Sequence, residues 1–142
     1  MLRSLLLLSA GIFLGAAGIV AAQHHAKGES VKLVSSIDIA EKLNQQESKA
    51  TFVVVTLQPG QAGSPHRHPG PVLGYVLEGE YELGIDDTPA KIFKAGETFY
   101  EPQGCLHRVS KNPAKEGKTR VLAVVIHPAD AKDLVLPEHT EK

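Results

Sequence analysis

Gly60-Gln61-Ala62-Gly63-Ser64-Pro65-His66-Arg67-His68-Pro69-Gly70-Pro71-Val72 and Gly96-Glu97-Thr98-Phe99-Tyr100-Glu101-Pro102-Gln103-Gly104-Cys105-Leu106-His107 are the stretches on which the reading of this chain turns. His66 and His68 are two residues apart. In an extended chain, residues i and i+2 project from the same face. Two imidazoles can therefore converge on one ion, while Arg67 points the other way. His107 follows a Pro-x-Gly turn, so an antiparallel neighbour can deliver it opposite the pair. Single histidines are usually surface or satisfied core residues, and His127 and His139 are read that way. Agreement of spacing with turn context sets His66, His68 and His107 apart as a metal-ligating set.

Outward from these stretches, short apolar runs alternate with turn signals. Thr51 to Leu57 is rich in Val and Thr and ends at Pro59-Gly60. Val72 to Glu78 and Glu80 to Ile85 flank Gly79 and predict a hairpin. Asp86-Asp87 reads as a turn. Lys91 to Lys94, Glu97 to Glu101, Leu106 to Ser110 and Arg120 to Ile126 are further strands, the last closed by Pro128. Ser36 to Gln46 predicts a short amphipathic helix, with Ser36 as N-cap and Ile37, Ala40 and Leu43 on one face. Roughly eight strands in one small domain predict an all-β sandwich or barrel.

The two stretches resemble the paired motifs of the cupin superfamily, G-x5-H-x-H-x3,4-E-x6-G and G-x5-P-x-G-x2-H-x3-N. Gly60, His66, His68 and Gly79 match the first; Gly96, Pro102, Gly104 and His107 match the second. The short stretch between them, Glu80 to Ala95, suits a compact single-domain bacterial member. The resemblance implies a double-stranded β-helix, or jelly-roll barrel, over 51–128, after an N-terminal segment (23–50) and before a C-terminal tail (129–142). It also implies a divalent metal held by His66, His68 and His107. Two positions depart from the pattern. Val72 stands where the first motif has Glu, and Lys111 stands where the second has Asn, with Asn112 one residue later.

Three neutral imidazoles leave the double charge of such an ion uncompensated and three positions of an octahedron open. Both effects favour an anionic, chelating substrate, and Lewis-acid or dioxygen chemistry, with Fe(II) preferred over Mn, Ni, Cu or Zn. Some cupin oxygenases acting on thiols and diketones have three-histidine sites, so the resemblance implies a dioxygenase-like enzyme. A non-catalytic periplasmic binding or metal-sequestering protein is the alternative. A barrel that lost metal binding with its Glu is the third reading. Val72, Gly74, Phe99, Glu101 and Cys105 are the residues expected to line the ligand space. Glu101 alternates with Phe99 along its strand and is either a substitute carboxylate or a rim residue. Gly74 either leaves cavity space or marks a bulge, and Cys105 reads as a small, partly buried residue. Tyr75, Tyr100, Phe93 and Phe99 read as core and pocket wall.

The chain has 142 residues, 42% hydrophobic and 22% charged, which is globular composition for one domain. A net charge of −1 argues against a nucleic-acid partner. Met1-Leu2-Arg3, an apolar run from Leu5 to Val20 and small residues at Ala21-Ala22 form the layout of a secretory signal peptide cleaved after Ala22. The expected product is periplasmic or secreted, with no membrane segment left. Removal of Arg3 takes the net charge from −1 to −2. Cys105 is the single cysteine, so no internal disulfide supports the fold. Cleavage would expose Gln23-His24-His25, a short tail whose amine and third-position His can chelate copper or nickel. Cupins often pair through sheet edges, so the resemblance also implies a possible homodimer, for which exposed edges give a physical reason.

Overall fold

The computed structural model describes residues 29–138. The expected signal peptide, the Gln23-His24-His25 stretch that its cleavage would expose, and His139 lie outside the described residues. Among the described residues there are ten strands and no helix: β1 (Ser30–Leu43), β2 (Gln46–Leu57), β3 (His66–Arg67), β4 (Val72–Glu78), β5 (Glu80–Ile85), β6 (Lys91–Lys94), β7 (Thr98–Glu101), β8 (His107–Lys111), β9 (Thr119–Pro128) and β10 (Leu136–Pro137). They form two five-stranded sheets, ordered β1-β2-β9-β4-β7 and β10-β3-β8-β5-β6. Every pairing is antiparallel.

Alternation fixes which side chains face inward. Along β4 the burial reads buried-exposed-buried through Val72, Leu73, Gly74, Tyr75 and Val76, the period of two expected of a strand with one covered face. Leu57, Val76, Tyr81, Leu83, Phe99 and Val121 form the packed core, with Val55, Ile85 and Phe93 against it. The same alternation turns Tyr75 and Tyr100 outward, 40% and 55% exposed, so neither is the core or pocket-wall residue expected. Phe99 does belong to the core, and Phe93 packs against it.

Two elements differ from the sequence reading. Ser36 to Gln46 is not a helix. It continues β1 and turns into β2 through Asn44 and Gln45, both with positive φ (51° and 65°), as a tight two-residue hairpin requires. Local 3.6-residue spacing lost to the ladder along β2, which pairs Ser36 with Thr51 and Ile37 with Ala50. Val72 to Glu78 and Glu80 to Ile85 do not form a hairpin either. β4 pairs with β7 and β9, whereas β5 pairs with β6 and β8. One residue cannot reverse a chain into its own ladder, but it can bend it from one sheet into the other. Gly79 does so at φ 78°.

A Cβ at position 79 would lie 2.6 Å from the Lys118 carbonyl oxygen, and the positive φ is itself costly for any other residue. We expect Gly79→Ala to destabilise the fold by about 2 kcal/mol or more, read from urea unfolding. A loss below about 0.5 kcal/mol would mean that this corner is not strained.

Candidate metal centre

His66 is the Cα partner of His107, so one antiparallel rung between β3 and β8 sets two imidazoles side by side, ring centroids 4.7 Å apart. His68 follows in the loop to β4, its ring 4.7 Å from that of His66. One ring nitrogen from each of the three lies within 4.8 Å of the others. That loop is held against β9 by Gly70, where a Cβ would run into the Ile126 carbonyl, and by the Ile126 N–H donating to Pro71 O over 3.0 Å. Arg67 points away, pairing with Glu138 at 3.0 Å and donating to Gly104 O at 2.7 Å. It thereby ties the tail strand to the turn before His107.

Backbone carbonyls set the tautomers. Nδ1 of His66 is 2.8 Å from Ser64 O, and Nδ1 of His68 is 2.6 Å from Leu134 O. A carbonyl only accepts, so each neutral ring carries its hydrogen at Nδ1 and leaves Nε2 bare. The two Nε2 atoms face each other at 3.1 Å. Facing lone pairs repel unless a proton or a metal cation sits between them. Protonation is disfavoured: burial, then the neighbouring His107, holds His66 down to about 4, and burial lowers His68 as well.

Glu101 enters from the opposite sheet. Its residue is 3% exposed, and Oε2 lies 3.2 Å from His107 Nδ1 and 3.7 Å from His68 Nε2. Neither Oε2 of Glu101 nor Nδ1 of His107 makes a hydrogen bond, although both are buried. Burial raises the Glu101 carboxyl, but the imidazoles around it, His107 foremost, outweigh that and keep it below the ordinary carboxylate range. A buried carboxylate beside the bare Nε2 atoms of His66 and His68, with the His107 ring adjoining, is a donor set that fits a divalent transition metal.

The other face of His107 is fixed by a residue the motifs do not contain. Its Nε2 is 3.3 Å from Tyr81 Oη, which is 3.0 Å from Ser110 Oγ. Burial drives the Tyr81 hydroxyl pKa far up, so it stays protonated. Tyr81 also stacks on Phe99 at 5.2 Å. Its place was readable from the alternation Tyr81, Leu83, Ile85, which puts all three on the inward face.

The cluster opens into a cavity of about 640 Å³. Val72, Phe99 and Glu101 line it, together with Tyr81 and the three histidines. Gly74 and Cys105 are not among its lining residues. Gly74 lies beneath the Phe99 ring, which occupies the space a Cβ would need, and Cys105 is a buried free thiol in the turn before His107. Desolvation, then the charge of Glu101, raises that thiol to about 11. Asn112, fully buried, donates to Leu57 O and Gly117 O and accepts from the Ala114 N–H. The residue one place past the motif's Asn thus ties the 113–118 loop to the barrel. His127 is a satisfied core histidine, 2.8 Å from Thr51 Oγ1.

Between pH 6.5 and 4 the folded metal-free protein binds fewer protons at His66 than the unfolded chain does. Stability is therefore lost as pH falls through that window, by up to about 3 kcal/mol from His66. Denaturant unfolding of metal-free protein at pH 7 and pH 4.5 measures the loss. His66→Asn should flatten it, and an equally steep loss in that variant would remove His66 as its source.

The Cupin domain family model matches residues 53–125. The chain is 42% identical over 59 residues to germin-like protein subfamily 2 member 2 of Arabidopsis thaliana, covering 38% of this chain and 27% of that protein. It is 30% identical over 82 residues to oxalate oxidase 1 of Hordeum vulgare, covering 52% and 41%. It therefore spans well under half the length of these relatives. Its fold is similar to that of a double-stranded β-helix protein from Klebsiella pneumoniae, with TM-score 0.58 and 21% identity over 82% of this chain and 90% of that one. The matched span runs from β2 to β9, takes in all three histidines and Glu101, and covers half of the sequence: this chain belongs to the cupin family.

Proposed function

We propose that this protein is an exported, metal-dependent enzyme that oxidises or cleaves a small ligand chelating its metal through an anionic head. The observation that carries the reading is the pair of bare Nε2 atoms 3.1 Å apart, held by backbone carbonyls in a pocket that resists protonation. His66, His68 and His107 would hold the ion, and Fe(II) is favoured, with Mn, Ni, Cu or Zn compatible with the same donors. When bound, the ion supplies Lewis-acid polarisation or, as ferrous iron, dioxygen-dependent oxidation.

The chain's own residues shape the ligand. The cavity walls include Val31, Val53, Val55, Val121 and Val125, and no Lys or Arg is among its lining residues. A dianion would find no protein cation there, and a two-carbon acid would leave most of the apolar wall untouched. The walls favour a monoanionic chelating head with an apolar body, whose burial contributes roughly 25 cal/mol per Å². Oxalate oxidase 1, the barley relative, acts by its name on oxalate, and a solved oxalate oxidase was complexed with glycolate. These support an oxygen-chelating head. Tyr81, protonated and bonded to Ser110, orients His107 and takes no part as a base.

A binding protein without turnover is the second reading, favoured by the absence among the lining residues of any acid–base group beyond the cluster, Tyr81 and Glu29. Anaerobically purified mature protein is expected to carry about one equivalent of metal, lost in His107→Ala. Oxygen uptake should then be at least tenfold faster with apolar-bodied diketones, thiols or phenols than with oxalate. Binding without uptake supports the second reading; no metal, or a preference for oxalate, overturns the first.

A further inference from the structure

We propose that Glu101 is an anionic ligand of the metal site, delivered from β7 into the space that its rung partner Val72 faces. The inference rests on the metal-binding reading above. It starts from an electrostatic problem. The Glu101 carboxyl group is almost completely shielded from water, and a buried polar or charged group needs hydrogen-bond donors or a counter-charge. Among the described residues Oε2 has no hydrogen-bond donor, and the imidazoles of His107 and His68 are the ionisable groups beside it. His107 Nδ1 lies within reach at 3.2 Å, but it too makes no hydrogen bond. The two atoms are close without being aligned as donor and acceptor. His68 Nε2, 3.7 Å from the same oxygen, is already a bare lone pair. Two electron-rich atoms, Glu101 Oε2 and His68 Nε2, thus face one small volume with His107 Nδ1 beside them, and a cation in that volume satisfies them together.

Topology explains how the carboxylate gets there. Val72 and Glu101 are directly opposed in the β4–β7 ladder, and both are buried on the inner face, 1% and 3% exposed. Directly opposed residues on one face have Cβ atoms roughly 5 Å apart, within the reach of a glutamate side chain. A carboxylate on either rung partner therefore serves the same space. The ion so held has one of its two charges compensated, and fewer open positions than three histidines alone would leave. A single anionic head then completes neutrality, in keeping with a cavity that carries no Lys or Arg among its lining residues.

The competing role is an outer one, in which Glu101 only orients His107. Outer residues of that kind typically cost 10–100-fold in metal affinity when removed. Metal-free wild type, Glu101→Gln, Glu101→Val and the double variant Val72→Glu/Glu101→Val are titrated with cobalt(II), read by calorimetry and by visible absorption. A ligand role predicts at least about a 1,000-fold loss in both single variants, beyond the outer-shell range, with a changed cobalt spectrum. The double variant should recover to within about tenfold of wild type. A Gln variant within 100-fold of wild type and with an unchanged spectrum overturns the ligand role. A double variant that melts cooperatively but binds no better than Glu101→Val overturns the cross-strand exchange; if it does not fold, the Gln variant alone decides. Wild type that binds no cobalt, iron or manganese sinks the metal reading itself, a separate outcome.

Discussion

Two imidazole lone pairs held face to face inside a protein are the constraint on which the rest of this structure turns. The lone pairs themselves oppose that arrangement. Carbonyls of Ser64 and Leu134 take the Nδ1 hydrogens, burial resists protonation, and the β3–β8 rung fixes the backbone at His66. The barrel sustains an unfavourable contact that a cation relieves. Such stored repulsion is a feature of binding sites that are organised before their ligand arrives.

Two rungs in opposite sheets generate the centre. His66 faces His107 in one, Val72 faces Glu101 in the other, and the sheets close over them. The floor is the core itself, since Val55, Tyr81, Phe99 and Val121 belong to both the packed cluster and the cavity wall. Ligand space and folding core are thus continuous, so substitutions that reshape the pocket act on stability as well. The tail contributes directly. Leu134 orients His68, and the Arg67–Glu138 pair clamps β10 beside β3.

Much of this was legible from residue order. The i, i+2 spacing put His66 and His68 on one face and Arg67 on the other, and turn residues bounded most strands correctly. The misses share a cause. Ser36 to Gln46 carries apolar residues at helical spacing, yet its backbone hydrogen bonds go to β2, a partner invisible to local pattern. Gly79 has the look of a hairpin glycine, and only its neighbours reveal a corner between sheets. Tyr75 and Tyr100 were misplaced although alternation alone turns them outward. Glu101 has two open readings in the sequence, substitute carboxylate or rim residue, because a strand's inward face is known only once its pairing is.

Residue order by itself determined the all-β class, the turn positions and the three histidines, because these depend on chain geometry over a few residues. It also determined that no carboxylate would come from position 72. Tertiary structure alone decided that Glu101, across the ladder, enters the same space, that Tyr81 backs His107, and that Cys105 and Gly74 stay out of the cavity. Those outcomes depend on which strands become neighbours, and strand pairing is settled by the burial of a whole sheet face rather than by any one segment.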